Sequence, residues 1–192
     1  MPRSTEATGA DRRAVLKAAA LGLFAFQVAG CEKLLSPGAA RKAGAALKVL
    51  SPEDAARLEA FGEVLVPGAR EAGLAHFVDV QLGRPHAESL LTARYLDVLP
   101  PHDEFYRNGL AALDAAAHAM HGKVFAGLDE AQSAQVVAPM LANGLKDWKG
   151  PPQPLFYLAV RSDAADLVYG TKAAFDRMKV PYLAHIEPPE AW

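Results

Sequence analysis

The chain has 192 residues, of which 51% are hydrophobic and 22% charged, with 20 basic and 22 acidic side chains. This balance excludes a disordered chain and gives no sign of a basic nucleic-acid binder. The single cysteine, Cys31, excludes a disulfide within the chain, so packing or a partner must supply the stability.

The first segment reads as an export leader. Asp11-Arg12-Arg13-Ala14-Val15-Leu16-Lys17 carries the paired arginines of a twin-arginine signal, with Lys17 closing the pattern. The apolar run Ala18 to Gly30 is 13 residues long, which suits a signal core and is short for a bilayer span. Val28-Ala29-Gly30-Cys31 then has the small residues and the cysteine of a lipoprotein cleavage site. The expectation is a signal over residues 1–31, cleavage before Cys31, and a diacylglyceryl group on its sulfur. Cleavage without lipid is the alternative, and a short buried helix is the reading without export. The leader holds four basic and two acidic side chains, so the remainder has 16 and 20, a net charge of −4.

Residues 32–50, rich in Ala, Gly, Lys and Ser, read as a flexible tether. A single helical domain is expected over 51–192. Ser51 is a good N-cap for a helix opened by Pro52, Glu53 and Asp54, with Leu58, Phe61 and Leu65 at helical spacing and Pro67-Gly68 as its stop. A short segment Leu74 to Leu82 follows. The next helix is expected over about Ala87 to Leu99, with Leu91, Tyr95 and Val98 turned inward and Pro100-Pro101 after it. A longer helix runs from Asp103 to about His121, burying Tyr106, Leu110, Leu113, Ala117 and Met120 and ending at Gly122. Asp129 and Gln132 form a capping pair for a helix carrying Val136, Val137, Met140 and Leu141, which Pro139 kinks or ends. Gly150 to Pro154 is a connector, and a last helix spans Leu155 to about Val168. No strand stands out. The fold class is therefore all-α, an irregular bundle of about five or six helices with an extended proline-rich C-terminal tail.

Few residues point to chemistry. Asp114, His118 and His121 lie at i, i+4 and i+7 on one face of the long helix, and such a trio could ligate zinc or iron. Arg107, one heptad earlier on that face, opposes a cation, and a solvated polar face is the alternative. Patterns for covalent haem, dinucleotide binding, a P-loop and a nucleophile elbow are missing. Twin-arginine export typically moves folded proteins that have taken up a cofactor, and this chain shows no cofactor site. The folded cargo is then expected to be a partner.

Three stretches carry a resemblance. Pro67-Gly68-Ala69-Arg70-Glu71-Ala72-Gly73 follows the first amphipathic helix, Phe77-Val78-Asp79 with Gln81-Leu82 comes next, and Tyr169-Gly170 precedes a proline-rich segment closing on Trp192. With the leader, these resemble the gluconate 2-dehydrogenase subunit 3 family over Leu50 to Trp192. The resemblance implies an α-helical, cofactor-free, non-catalytic small subunit. It implies a large FAD-containing partner of the glucose-methanol-choline oxidoreductase type, matured and exported with this chain. A multihaem cytochrome c is a third subunit in several such complexes. Where family members often carry Tyr-Gly-Gly-Asn, Tyr169-Gly170 here continues as Thr171-Lys172.

Two function classes follow. The first is an accessory subunit in the periplasm, held at the membrane by lipid on Cys31, served by the twin-arginine translocase and binding no nucleic acid. Its candidate interface residues are Tyr169, Gly170, Pro181, Tyr182, His185 and Trp192. Prolines keep such a tail extended and large aromatics anchor interfaces, although the tail could equally pack on its own helices. The second is a small metal-binding or redox lipoprotein using Asp114, His118 and His121.

Overall fold

A computed structural model describes residues 22–181 of the chain, without the side chains of Lys172 and Ala173. It is an irregular helical bundle, 62% helix, with one small two-stranded sheet. The described helices are α1 Pro37–Lys42, α2 Pro52–Leu65, α3 Ala69–Ala72, α4 Leu74–Leu82, α5 Thr92–Tyr95, α6 His102–His121, α7 Glu130–Val137, α8 Gln153–Tyr169 and α9 Lys172–Met178. Among the described residues α2, α4, α6, α7 and α8 run beyond two turns, which matches the expected number of helices though not the expected helix at 87–99; the others are short pieces.

The capping signals act as read. Ser51 accepts the Asp54 N–H at 3.1 Å and opens α2, and Asp129 with Gln132 forms a reciprocal capping box at the start of α7. Gly122 closes α6 in the left-handed conformation, φ 68°. The α7 helix stops at Val137 and tightens to a 3-10 turn over Ala138–Ala142, because Pro139 has no N–H to continue the ladder.

The core lies where α2, α6 and α8 meet. Phe61 stacks on Phe156 with ring centroids 5.5 Å apart, and Phe125 and Phe105 pack edge-on at 5.7 and 5.8 Å. Gly109 makes this possible, since a Cβ there would come within 2.4 Å of the Phe156 ring. Tyr106, Leu110, Leu113 and Ala117 form the buried stripe of α6, whereas Met120, in its last turn, is exposed.

Three expectations need correction. Residues 24–35 are a hairpin: β1 Phe24–Val28 pairs antiparallel with β2 Cys31–Leu35, Phe24 opposite Leu35 and Val28 opposite Cys31. The turn Ala29-Gly30 has positive φ at both residues, 51° and 78°, the conformation that matches strand twist in a two-residue loop. Reading the run as a signal core hid this, because hydrophobicity alone marks such a core while Phe24, Phe26 and Val28 alternate with period two inside it. Nor is 32–50 a structureless tether: it holds β2, then α1 with its Ser36 cap, and buries Ala40, Ala45 and Leu50.

The third correction concerns 87–99. This segment makes only a 3-10 turn at His86–Glu88 and the single turn α5. Its amides are taken by distant side chains, Leu90 N–H by Gln81 at 2.9 Å and Thr92 N–H by Asp163 at 2.8 Å, so no helical ladder forms. Tyr95, expected inward, is 64% exposed.

Candidate partner interface

Two of the three stretches that carried the resemblance, 67–73 and 77–82, fold as backbone clamps. Glu63, in the last turn of α2, accepts the N–H groups of Gly68 and Arg70 at 2.9 and 3.0 Å and so caps α3. Gly73 sits at φ 86°, and a Cβ there would fall 2.3 Å from the Pro37 backbone. A Cβ on Gly38 would in turn fall 2.7 Å from the Glu71 carbonyl. Thus α1 rides directly on the 68–73 turn, and both glycines are needed for that approach.

Asp79, on α4, is buried and accepts three successive N–H groups. Those of Lys48, Val49 and Leu50 approach at 2.8 to 3.1 Å. A carboxylate holding a row of amides makes a charge-assisted anchor for the bend that enters α2. Gln81, uncharged, accepts the single N–H of Leu90. Nothing in this clamp is arranged for bond-making; it fixes the path of the chain.

A second buried tie joins α5, α6 and α8. Asp163 accepts from Tyr106 Oη at 2.5 Å and from Thr92 N at 2.8 Å. Burial pushes the Asp163 carboxyl up to about 6, against the opposing pull of the Tyr106 and Thr92 bonds. Burial, then the Asp163 charge, pushes the Tyr106 phenol well above its usual range. Both groups are sealed in the core, so they brace helices and have no access to a ligand.

The Asp114, His118 and His121 trio does not come together as a ligand set. Asp114 gives one oxygen to Arg57 Nε at 2.6 Å and the other to the Phe125 N–H at 2.8 Å, which pins the 3-10 turn at Phe125–Gly127 between α2 and α6. His118 is exposed, and Arg107 pairs with Asp103 at 2.9 Å and donates to the Val49 carbonyl. Among the described residues, no group of three His, Cys, Asp or Glu is placed to hold a metal ion.

Of the expected interface residues, Tyr169 is 46% exposed at the end of α8, where Gly170 forms the C-cap. A Cβ on Gly170 would meet the Asp166 carbonyl at 2.6 Å, so this glycine lets the chain turn into α9. Pro181 is exposed. Tyr182, His185 and Trp192 lie outside the described residues, as do Arg12, Arg13 and Lys17. Cys31 is described, free and exposed at the head of β2.

Sequence reasoning missed the apolar surface around α5. Leu90, Tyr95 and Leu99 all face solvent, Leu99 at 83% exposure, and the Arg94 guanidinium lies over the Tyr95 ring. Beside them an open groove of about 410 Å³ is lined by Leu99, the cis-linked Pro100-Pro101, Glu104, Phe105 and Lys149. The signal available was the Pro100-Pro101 pair, which breaks helical continuity just after the segment. No described helix is long and apolar enough to cross a membrane.

Comparison with known proteins gives one finding. A family model described as gluconate 2-dehydrogenase subunit 3 matches residues 52–183, from the first turn of α2 past the end of α9. No curated protein and no solved structure matches the chain.

Proposed function

Because the chain belongs to the gluconate 2-dehydrogenase subunit 3 family, we propose that it is the non-catalytic small subunit of a periplasmic FAD-dependent dehydrogenase complex. In this reading it matures a glucose-methanol-choline-type flavoprotein and carries it through the twin-arginine pathway. Family membership makes the chain an accessory subunit of a dehydrogenase complex. The finer assignment is supported by the leader, Arg12-Arg13 and Lys17 ahead of an apolar run and Val28-Ala29-Gly30-Cys31. A cofactor-bearing partner explains why a chain without a recognisable cofactor motif carries a signal used for folded cargo. Lipid on Cys31 would hold the complex at the membrane, and a multihaem cytochrome c fits as the electron acceptor.

The observation that carries the proposal is the family match over 52–183, which spans every helix from α2 to α9 and none of the leader. Four carboxylates in that body hold its backbone: the buried Asp79 and Asp163 and the half-buried Glu63 and Asp114 each bind main-chain amides. Changing Arg12 and Arg13 together to Lys should leave the flavoprotein's activity in the cytoplasm. Periplasmic partner activity in that variant overturns the carrier role. Cys31→Ser should release or fail to process the subunit, and an unmodified mature N-terminus by mass spectrometry counts against the lipid. The segment 180–192 is assigned to the partner interface. Truncation after Lys179 should abolish co-purification with little change in the subunit's melting, and normal binding overturns that assignment.

A further inference from the structure

The hairpin takes its first strand and its turn from residues that read as the end of the leader's apolar run, while its second strand begins at Cys31. Its two strands are unequal. In β1, Phe24, Phe26 and Val28 are buried at 5, 4 and 9% exposure, while β2 from Cys31 to Leu34 is exposed. Phe24 packs edge-on against Phe77 at 5.9 Å and lies under the Arg84 guanidinium at 5.1 Å; Phe26 packs on the His76 ring at 6.1 Å. Both ring partners belong to α4, and His76 is fixed by its Nε2 contact to the Ala45 carbonyl at 3.2 Å.

The backbone register says the same. In a hairpin closed by a two-residue turn, the closing pair Val28–Cys31 exchanges hydrogen bonds, as do alternate pairs beyond it. Gln27 therefore points its carbonyl to the outer edge of β1. There it accepts the Ala46 N–H at 3.0 Å. So β1 is bonded on both edges and buried on one face, whereas β2 is attached to the body chiefly through β1. The surface over α4 is built for an extended strand with aromatic side chains at alternate positions.

We propose that this surface is a docking site for the leader's own apolar segment, Phe24–Val28, which is held folded against the body until the hairpin opens. The proposal rests on the export reading above for calling that segment a leader. Its consequences are structural. The bond between Gly30 and Cys31 sits just after two positive-φ residues at the tip of a tight turn, a shape unlike an extended peptidase substrate. Opening must therefore precede processing. Once the chain is cut there, β1 is lost, Phe77 and His76 are uncovered, and residues 31–35 lose their pairing strand and become tether.

The test uses the full chain, accumulated unprocessed with Arg12 and Arg13 changed to Lys. Hydrogen exchange followed by mass spectrometry should show residues 24–28 protected at least tenfold over an unstructured peptide. Phe77→Ala should reduce that protection at least tenfold, and the surface variant Arg84→Ala about threefold, with α6 and α8 unchanged in both. In chains with the native arginines, the same variants should speed appearance of the Cys31-headed form in a pulse–chase. Unprotected amides at 24–28 beside protected α6 and α8 overturn the proposal, as does a processing rate untouched by either variant. A fusion of residues 1–36 to a folded reporter separates the two claims. If the fusion stays in the cytoplasm, the export reading fails while the exchange data still judge the docking.

Discussion

The clamp around α3 and α4 and the segment from His86 to Pro101 occupy neighbouring parts of the chain and are built in opposite ways. In the clamp, backbone meets backbone: Gly73 lies against Pro37, Gly38 against Glu71, and Asp79 holds three consecutive amides. In the later segment the backbone is held at a few points by Gln81 and Asp163, and Leu90, Tyr95 and Leu99 are left in solvent. The residues that carry the family resemblance are thus the ones that fix geometry. The apolar surface open to another molecule lies where the sequence looked like an ordinary helix.

The sharpest way to break this contrast is at Gly73. Gly73→Ala imposes both a left-handed conformation on a residue with a Cβ and a clash with the Pro37 backbone. The expected cost is about 4 kcal/mol, read from urea denaturation of the subunit. Gly68→Ala is the control. It has φ 94° but meets nothing nearer than Val168 at 3.9 Å, so about 1–2 kcal/mol is expected from conformation alone. Equal costs at the two glycines would mean that α1 does not sit on the 68–73 turn.

Asp79→Ala comes next. It strands the N–H groups of Lys48, Val49 and Leu50, only partly reachable by water, and should cost about 3 kcal/mol. Asp79→Asn retains a carbonyl acceptor but loses the charge and one acceptor oxygen, so it should fall between wild type and Ala. An Asn variant no better than Ala would show that the carboxylate's charge is the whole effect.

The Asp163 tie gives a pH-dependent counterpart. Its folded value of about 6 lies above the ordinary aspartate value near 3.9, so the folded state holds this proton more tightly than the unfolded chain. Its stabilising contribution is full below that unfolded value and is lost as pH rises through about 6. Relative to Asp163→Asn, the wild type should lose about 2–3 kcal/mol between pH 4 and pH 7. Parallel pH profiles for the two proteins would show Asp163 ionising freely in the fold.

Much of this was legible in the sequence for definable reasons. Caps are local chemistry, so Ser51, Gly122 and the Asp129–Gln132 box marked their helices correctly. The stripe Tyr106, Leu110, Leu113 and Ala117 followed from helical period. What escaped depends on distant residues. Nothing near Thr92 announces that Asp163 will take its amide, and nothing near Asp114 announces Arg57 and Phe125. The hairpin escaped because one run of apolar residues satisfies two descriptions. A signal core requires only hydrophobicity, and Phe24, Phe26 and Val28 supply a period of two within it.

The smallest expected effect is the most direct check on the His86–Pro101 segment. Leu91 and Leu99 are eight residues apart, both leucines, and a continuous helix over 87–99 would leave Leu99 about 80° round from Leu91, near the buried face. In the structure the helix is broken: Leu91 is fully buried, Leu99 is 83% exposed, and Asp97 between them has a left-handed φ of 56°. Leu91→Ser should then cost on the order of 3 kcal/mol, because it opens a cavity and buries a hydroxyl. Leu99→Ser should change stability by less than about 0.5 kcal/mol, the scale for surface sites that touch nothing critical. Thermal melts of the two variants in the same buffer decide the matter. A Leu99→Ser loss above about 1.5 kcal/mol would place that side chain in a core and restore the continuous helix. A small loss leaves Leu99 available on the outside, beside Tyr95 and the groove at Pro100-Pro101.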